Sequence, residues 1–247
     1  MSNGERKNMA EKLYTIPVND AFDKNCECSV CEMYRKLEND ALEFTLGPSY
    51  MEEDIRAMTD KSGFCKGHAK KMYERGNRLG MALMYQTHTY GVIGAIEKQK
   101  LSSKGGFLKK ADNSSLINYI KNMSNSCFIC DRIKNVFDRY IMTIMYLWKN
   151  DSDFVEKYKS SKGFCMEHYA MLVEYASKEL SGKVLESFME VTEKLFLDNI
   201  KRVKEDLDWF IDKFDYRYKN EPWKNSKDAL PRMLCKINSL DIQDEQI

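Results

Sequence analysis

The chain has 247 residues and carries 39 Lys and Arg against 38 Asp and Glu, a net charge of +1. That length can bury a core in one large domain or two moderate ones, and the balanced charge leaves no electrostatic footprint for nucleic acid or an anionic membrane. Only four prolines, 43% hydrophobic residues and frequent Met, Lys, Glu and Leu favour helix over strand.

In chain order, residues 1–22 form an N-terminal segment without an apolar h-region or a small-residue cleavage site. The best apolar run, Ile141 to Trp148, is far too short to span a bilayer. A soluble, cytoplasmic protein is expected, and in a reducing cytosol eight cysteines point to metal or redox chemistry rather than a disulfide framework. A C-x2-C pair, Cys28 and Cys31, opens a predicted helix at 31–45, which Gly47-Pro48 stops. A helix at 50–60 follows. GFCKGH (Gly63 to His68) then opens a long predicted helix from Cys65 toward Lys98. Ser102 to Gly106 reads as flexible, and a linker is placed at 105–113. Asp112 to Ser115 offers a helix start for 114–123. A second C-x2-C pair, Cys127 and Cys130, precedes helices at 130–148 and 151–158. GFCMEH (Gly163 to His168) comes next. Three- and four-residue apolar steps from Leu185 to Phe214 predict one long amphipathic helix.

The motifs form an internal repeat. The two C-x2-C pairs are offset by 99 positions and the two C-x2-H pairs by 100, and the interval inside each unit is 34 or 35 residues. Two copies of one helical unit are expected, at 23–104 and 114–218, with a tail at 219–247. The fold class read from this pattern is all-α, with pseudo-repeated units that each hold a Cys3His site. The aromatic tail, anchored by Phe214, Tyr216, Tyr218 and Trp223, is expected to pack back across them.

Cys and His at these spacings are tetrahedral zinc ligands. A separation of three residues lets both members of a pair face one ion from a single helical turn, and a helix N-terminus stabilises a thiolate. The sequence assigns Cys28, Cys31, Cys65 and His68 to one site and Cys127, Cys130, Cys165 and His168 to the other. A crossed assembly, each C-x2-C meeting the other unit's C-x2-H, uses the same residues, and spacing does not separate the two. Zn2+, two per chain, is the favoured ion; an iron–sulfur cluster is the alternative. Four filled positions argue for structural rather than catalytic metal, worth on the order of 10 kcal/mol per site.

Cys26 reads as an ordinary thiol or, less favoured, an alternative ligand or resolving thiol; Cys235 reads as a plain thiol and His88 as a packing or surface residue. The acidic clusters Glu38 to Asp40 and Glu52 to Asp54 read as solvated faces. No nucleotide-binding, nucleophile-elbow or metalloprotease motif occurs, so no catalytic residue is named. A binding, interaction or regulatory module with a protein or small-molecule partner is the expected class. A thiol-based redox sensor or an iron–sulfur electron-transfer protein or enzyme is the alternative.

LYTIPVNDAFD (Leu13 to Asp23), CSVC with the following MYRKLEND, GPSYMEEDIR (Gly47 to Arg56), both GFC-x2-H motifs and the tail FDYRYKNEPWKNSKDALPR together resemble the bacterial proteins grouped as domain of unknown function 6062. The resemblance implies that the paired motifs belong to one recurring architecture. It supplies no substrate, reaction or catalytic residue.

Overall fold

With few prolines to interrupt it, the backbone winds almost wholly into helix. A computed structural model describes residues 14–99, 101, 113–240 and 242; among them are eleven α-helices, two 3-10 turns and no strand. The helices are α1 (Thr15–Asp23), α2 (Ser29–Leu46), α3 (Glu53–Ser62), α4 (Lys66–Arg75), α5 (Arg78–Lys98), α6 (Ser114–Asn125), α7 (Phe128–Asn150), α8 (Ser152–Ser160), α9 (Met166–Glu179), α10 (Gly182–Asp212) and α11 (Ala229–Asn238). The all-α expectation holds. Ser102 to Gly106 lies outside the described residues, as does nearly all of the 105–113 linker.

The helix expected from Cys65 to Lys98 is in fact two. Gly76 adopts a left-handed conformation (φ +97°) that closes α4, and the Asn77 side chain accepts a hydrogen bond from the Gly80 N–H at 3.0 Å to open α5. A left-handed glycine followed by an Asn cap is a stop and a start within two residues. The long C-terminal helix is present, but it ends at Asp212, and Phe214 is exposed. The buried Lys213 ammonium stops the chain there by donating to three tail carbonyls, of Tyr218 (2.7 Å), Lys219 (3.1 Å) and Glu221 (2.5 Å).

The chain divides into two compact units whose limits fall inside α2 and α7. One comprises described residues within Met1–Arg35 and Phe137–Ile247; the other is Lys36–Val136, again for its described residues. The first unit is built on an aromatic core. Phe22, Trp148, Phe154, Tyr158, Phe164 and Phe188 meet at 5.1 to 6.3 Å between ring centres. Such rings contribute large buried areas and favour edge-on or tilted contacts. The buried Tyr158 hydroxyl is paired with Thr192 at 2.8 Å, which offsets the cost of its burial. Around this core α8 packs on α1, and α9, α10 and α11 pack on one another. In the tail, Trp209 meets Tyr218 and Phe210 meets Trp223, whereas Tyr216 is exposed and Phe214, also exposed, touches only Phe210 among the ring contacts of the described residues. Two of the four expected anchors therefore pack.

The second unit is smaller and less aromatic. Its core holds Leu42, Ile55, Met72, Met84, Ile129 and Ile133, with α3 against α5. Arg56 ties α3 to α5 through the Leu83 carbonyl and the Thr87 hydroxyl, both at 3.3 Å.

Candidate metal centres

Each of the four motifs places its first cysteine directly before a helix. Cys28 precedes α2, Cys65 precedes α4, Cys127 precedes α7 and Cys165 precedes α9. The second donor of each pair then falls in the first turn, on the same side. This is the position where backbone N–H groups are unpaired and the helix dipole favours a thiolate. The Cys31 N–H points at the Cys28 sulfur at 3.4 Å.

The glycine of each GFC motif has a specific task. Gly63 and Gly163 adopt positive φ, +58° and +74°. A Cβ at Gly163 would stand 2.8 Å from the Leu195 carbonyl oxygen, and one at Gly63 would stand 2.7 Å from the His88 ring. Only glycine fits both demands. His88 is thereby placed as a packing residue: its Nδ1 donates to the Asp60 carbonyl at 2.7 Å and its ring closes over Gly63.

The eight expected donors gather into two sets, and the sets are crossed. Cys28, Cys31, Cys165 and His168 form the first centre, within the first unit; Cys65, His68, Cys127 and Cys130 form the second, within the other. The assignment of each C-x2-C to its nearest downstream C-x2-H is therefore corrected. The reason is topological: the second unit is one continuous segment inserted between the two halves of the first, so each centre pairs the motifs its own unit contains.

In each set all four donor atoms lie within 4.8 Å of one another. In the first centre, the Cys28 and Cys31 sulfurs stand 3.9 and 3.6 Å from that of Cys165, and the three sulfurs lie 3.1 to 3.5 Å from His168 Nδ1. In the second, Cys65 and Cys130 are 3.8 Å apart, and all three sulfurs lie 3.3 Å from His68 Nδ1. A tetrahedron around zinc has S–S edges of about 3.8 Å and S–N edges of about 3.5 Å, from bond lengths of about 2.3 and 2.05 Å. The separations fit one ion per centre and are far longer than the ~2.05 Å of a disulfide. All eight cysteines are free thiols.

The surroundings of the two centres differ. At the second, His68 Nε2 bonds the Glu38 carboxylate at 3.2 Å, and Lys71 holds the other carboxylate oxygen at 2.5 Å. A carboxylate behind a ligating histidine fixes its tautomer and makes it a better donor. The His68 bond, opposed by burial and assisted by Lys71, lowers the Glu38 pKa to about 2. Burial disfavours the charged His68 ring, yet its bonds to Cys127 and Glu38 raise it to about 10. Burial likewise pushes the Cys127 thiol up, and the His68 bond overcomes this and brings it to about 6. Glu38 reads along the chain only as part of a solvated acidic cluster, with no local signal for this role.

At the first centre the support comes from α11. Lys236 is wholly buried, donates to the carbonyls of Glu27 and Lys162 at 2.5 Å each, and pairs with the Glu27 carboxylate at 3.2 Å. Glu27 is also paired with Arg202 at 2.6 Å. Glu27 adjoins Cys28 and Lys162 lies just before Cys165, so one ammonium fastens both loops that carry the ligands. Ser239 Oγ donates to the Cys165 sulfur at 3.1 Å. Hydrogen bonds from Cys28 and Cys31 pull the Cys165 thiol well below its usual range. Cys235, expected to be a plain thiol, is partly buried and belongs to neither set. Cys26, the more suspected spare, likewise belongs to neither set.

No solved structure matches the chain. It is 20% identical over 192 residues to an uncharacterised 23.9 kDa protein encoded in the xynA 3′ region of Caldicellulosiruptor sp. (strain Rt8B.4), covering 75% of this chain and 85% of that protein. The family of unknown function DUF6062 matches residues 9–244, nearly the whole length, and the chain belongs to that family.

Proposed function

We propose that this protein is a binding or interaction module held in shape by two structural zinc ions. The observation that carries the reading is that three cysteine sulfurs and one imidazole nitrogen gather within 4.8 Å of one another in each centre, donors enough for all four positions of a tetrahedron. A catalytic zinc keeps one position for water or substrate. Close-set donors suit a single ion, whereas an iron–sulfur cluster needs its ligands spread around a multi-atom core. The metal residues are Cys28, Cys31, Cys165 and His168, and Cys65, His68, Cys127 and Cys130. The matching offsets support a duplicated ancestral unit whose copies exchanged C-x2-H motifs.

A partner-binding role draws support from the second unit. Tyr90, Ile93 and Ile96 on α5 and Ile117 and Ile120 on α6 are exposed, and no Asp, Glu, Lys or Arg stands between Arg78 and Glu97. Uncharged apolar surface of this kind favours a protein partner over nucleic acid. Among the described residues no helix is long and apolar enough to cross a membrane.

The test is elemental analysis with an absorption spectrum on protein purified anaerobically without added metal. Two zinc per chain and no visible band are expected. Iron with sulfide and a broad visible band would overturn the reading and make electron transfer the leading question.

A further inference from the structure

The two centres share their donor chemistry but not their cover. Cys165 and Cys65 hold the same place in the two GFC motifs, directly before α9 and α4. Cys165 is wholly buried, and the Ser239 hydroxyl donates to its sulfur at 3.1 Å. Cys65 is only partly buried, and so is Cys130. The chain beside Cys65 is open as well: Lys66 and Gly67 are exposed, and a Cβ on Gly67 would meet nothing within 4 Å. Cys65 and Cys130 also face each other, with 3.8 Å between their sulfurs. Cys127 and His68, which complete the set, are buried. At the first centre Cys28 and Cys165 are closed off, so the half-covered Cys31 has no accessible thiol of its own set beside it. A small solute thus reaches two adjacent donor thiols at the second centre and at most one at the first.

We infer that Cys65 and Cys130 form an oxidation site, at which hydrogen peroxide joins two donors of the second centre as a disulfide and frees its ion while the first centre keeps its own. The inference rests on reading the second centre as a metal site. The Cys65 thiolate attacks the peroxide O–O bond and becomes a sulfenic acid, and the other oxygen leaves as hydroxide. The Cys130 thiolate then attacks the Cys65 sulfur. The S–S bond forms, the S–O bond breaks, and a second hydroxide leaves. Two protons from solvent turn both hydroxides into water, and two electrons have passed from the sulfurs to one peroxide. The sulfurs close from 3.8 Å to the ~2.05 Å of a disulfide. Cys127 and His68 remain as donors, too few for the four positions of a structural zinc. The affected unit, Lys36–Val136, also carries the exposed apolar residues of α5 and α6, so oxidant would act on the partner-binding unit and a thiol reductant would restore it.

The experiment treats the full-length, metal-loaded protein with hydrogen peroxide. Metal release is followed with a chromophoric chelator. When one ion has left, the thiols are alkylated in denaturant and disulfides are mapped by mass spectrometry of the digest. Wild type should release one ion about tenfold or more faster than the other. At that point Cys65 should be joined to Cys130 while Cys28, Cys31 and Cys165 still alkylate, and reduction should let the ion return. Cys26→Ser/Cys235→Ser, which removes the two thiols outside both sets, should behave like wild type. Loss of both ions together, or a first disulfide at Cys28, Cys31 or Cys165, would overturn the inference. So would a first disulfide joining Cys127 to Cys130, or slowed release from the double variant. Protein that carries no metal but still forms the Cys65–Cys130 disulfide first would sink the metal reading and leave the oxidation site standing.

Discussion

Replacing Cys31 by serine takes one of four donors from the first centre, and pairing it with a second substitution reads the wiring of the whole protein. In the crossed arrangement Cys31 and Cys165 would share an ion while Cys31 and Cys65 would not. The single variant should fall from two ions per chain to one. Cys31→Ser with Cys165→Ser should also keep one, because the second loss falls on a centre already broken. Cys31→Ser with Cys65→Ser should keep none. Nearest-motif pairing predicts the opposite for the two doubles. A structural Cys/His zinc is worth about 10–16 kcal/mol in small domains, comparable to the ~5–15 kcal/mol that holds a whole domain. Each lost ion should therefore unfold much of its own unit. Hydrogen exchange should then show lost protection within Met1–Arg35 and Phe137–Ile247 for Cys31→Ser, and within Lys36–Val136 for Cys65→Ser. Metal per chain by elemental analysis decides the matter. One ion retained in Cys31→Ser/Cys65→Ser, with none in Cys31→Ser/Cys165→Ser, would refute the crossed centres.

Glu38→Gln should weaken metal at the second centre about 10–100-fold and leave the first unchanged, as read by chelator competition, because of the two candidate ligand histidines His68 is the one bonded to that carboxylate. With its folded pKa lowered to about 2 from 4.5, Glu38 contributes stability that is fully present above about pH 4.5 and lost as pH falls toward 2. The gap in urea midpoint between wild type and Glu38→Gln should close over that window, and a constant gap would contradict the assignment. Lys236→Met leaves Glu27 with Arg202 alone and frees two carbonyls beside the first centre. A cost of about 3–5 kcal/mol is expected, which scanning calorimetry would register as a fall in Tm of about 6–20 °C. Gly163→Ala combines a strained φ with a clash on the Leu195 carbonyl and should cost more than the ~1–2 kcal/mol of the backbone conformation alone. Gly67→Ala, in α4 with open space around it, should be neutral or stabilising.

Much of this protein is legible along the chain because its logic is local. A cysteine just before a helix and a second donor in its first turn is a three-residue pattern, and GFC with its left-handed glycine sets the turn that delivers it. Helix periodicity is equally local, so α2, α3, α6, α7, α8 and α10 were placed close to their observed limits. The failures are also local in origin. The Gly76-Asn77 break between α4 and α5 is a two-residue signal that the surrounding apolar periodicity obscures. Phe214 continues the spacing of α10 but lies beyond a helix end that the Lys213 bonds impose.

The donors, their grouping in pairs and the helices they open are therefore determined by sequence. Which pair meets which was not, since both wirings use the same residues at the same local spacing. That choice depends on contacts more than a hundred residues apart, such as Cys28 with Cys165, which no short-range period encodes. The same holds for Glu38 behind His68 and Lys236 beneath the loops of the first centre. Each looks in sequence like an ordinary charge, and each acquires its role only when tertiary packing removes it from water and sets it beside a centre.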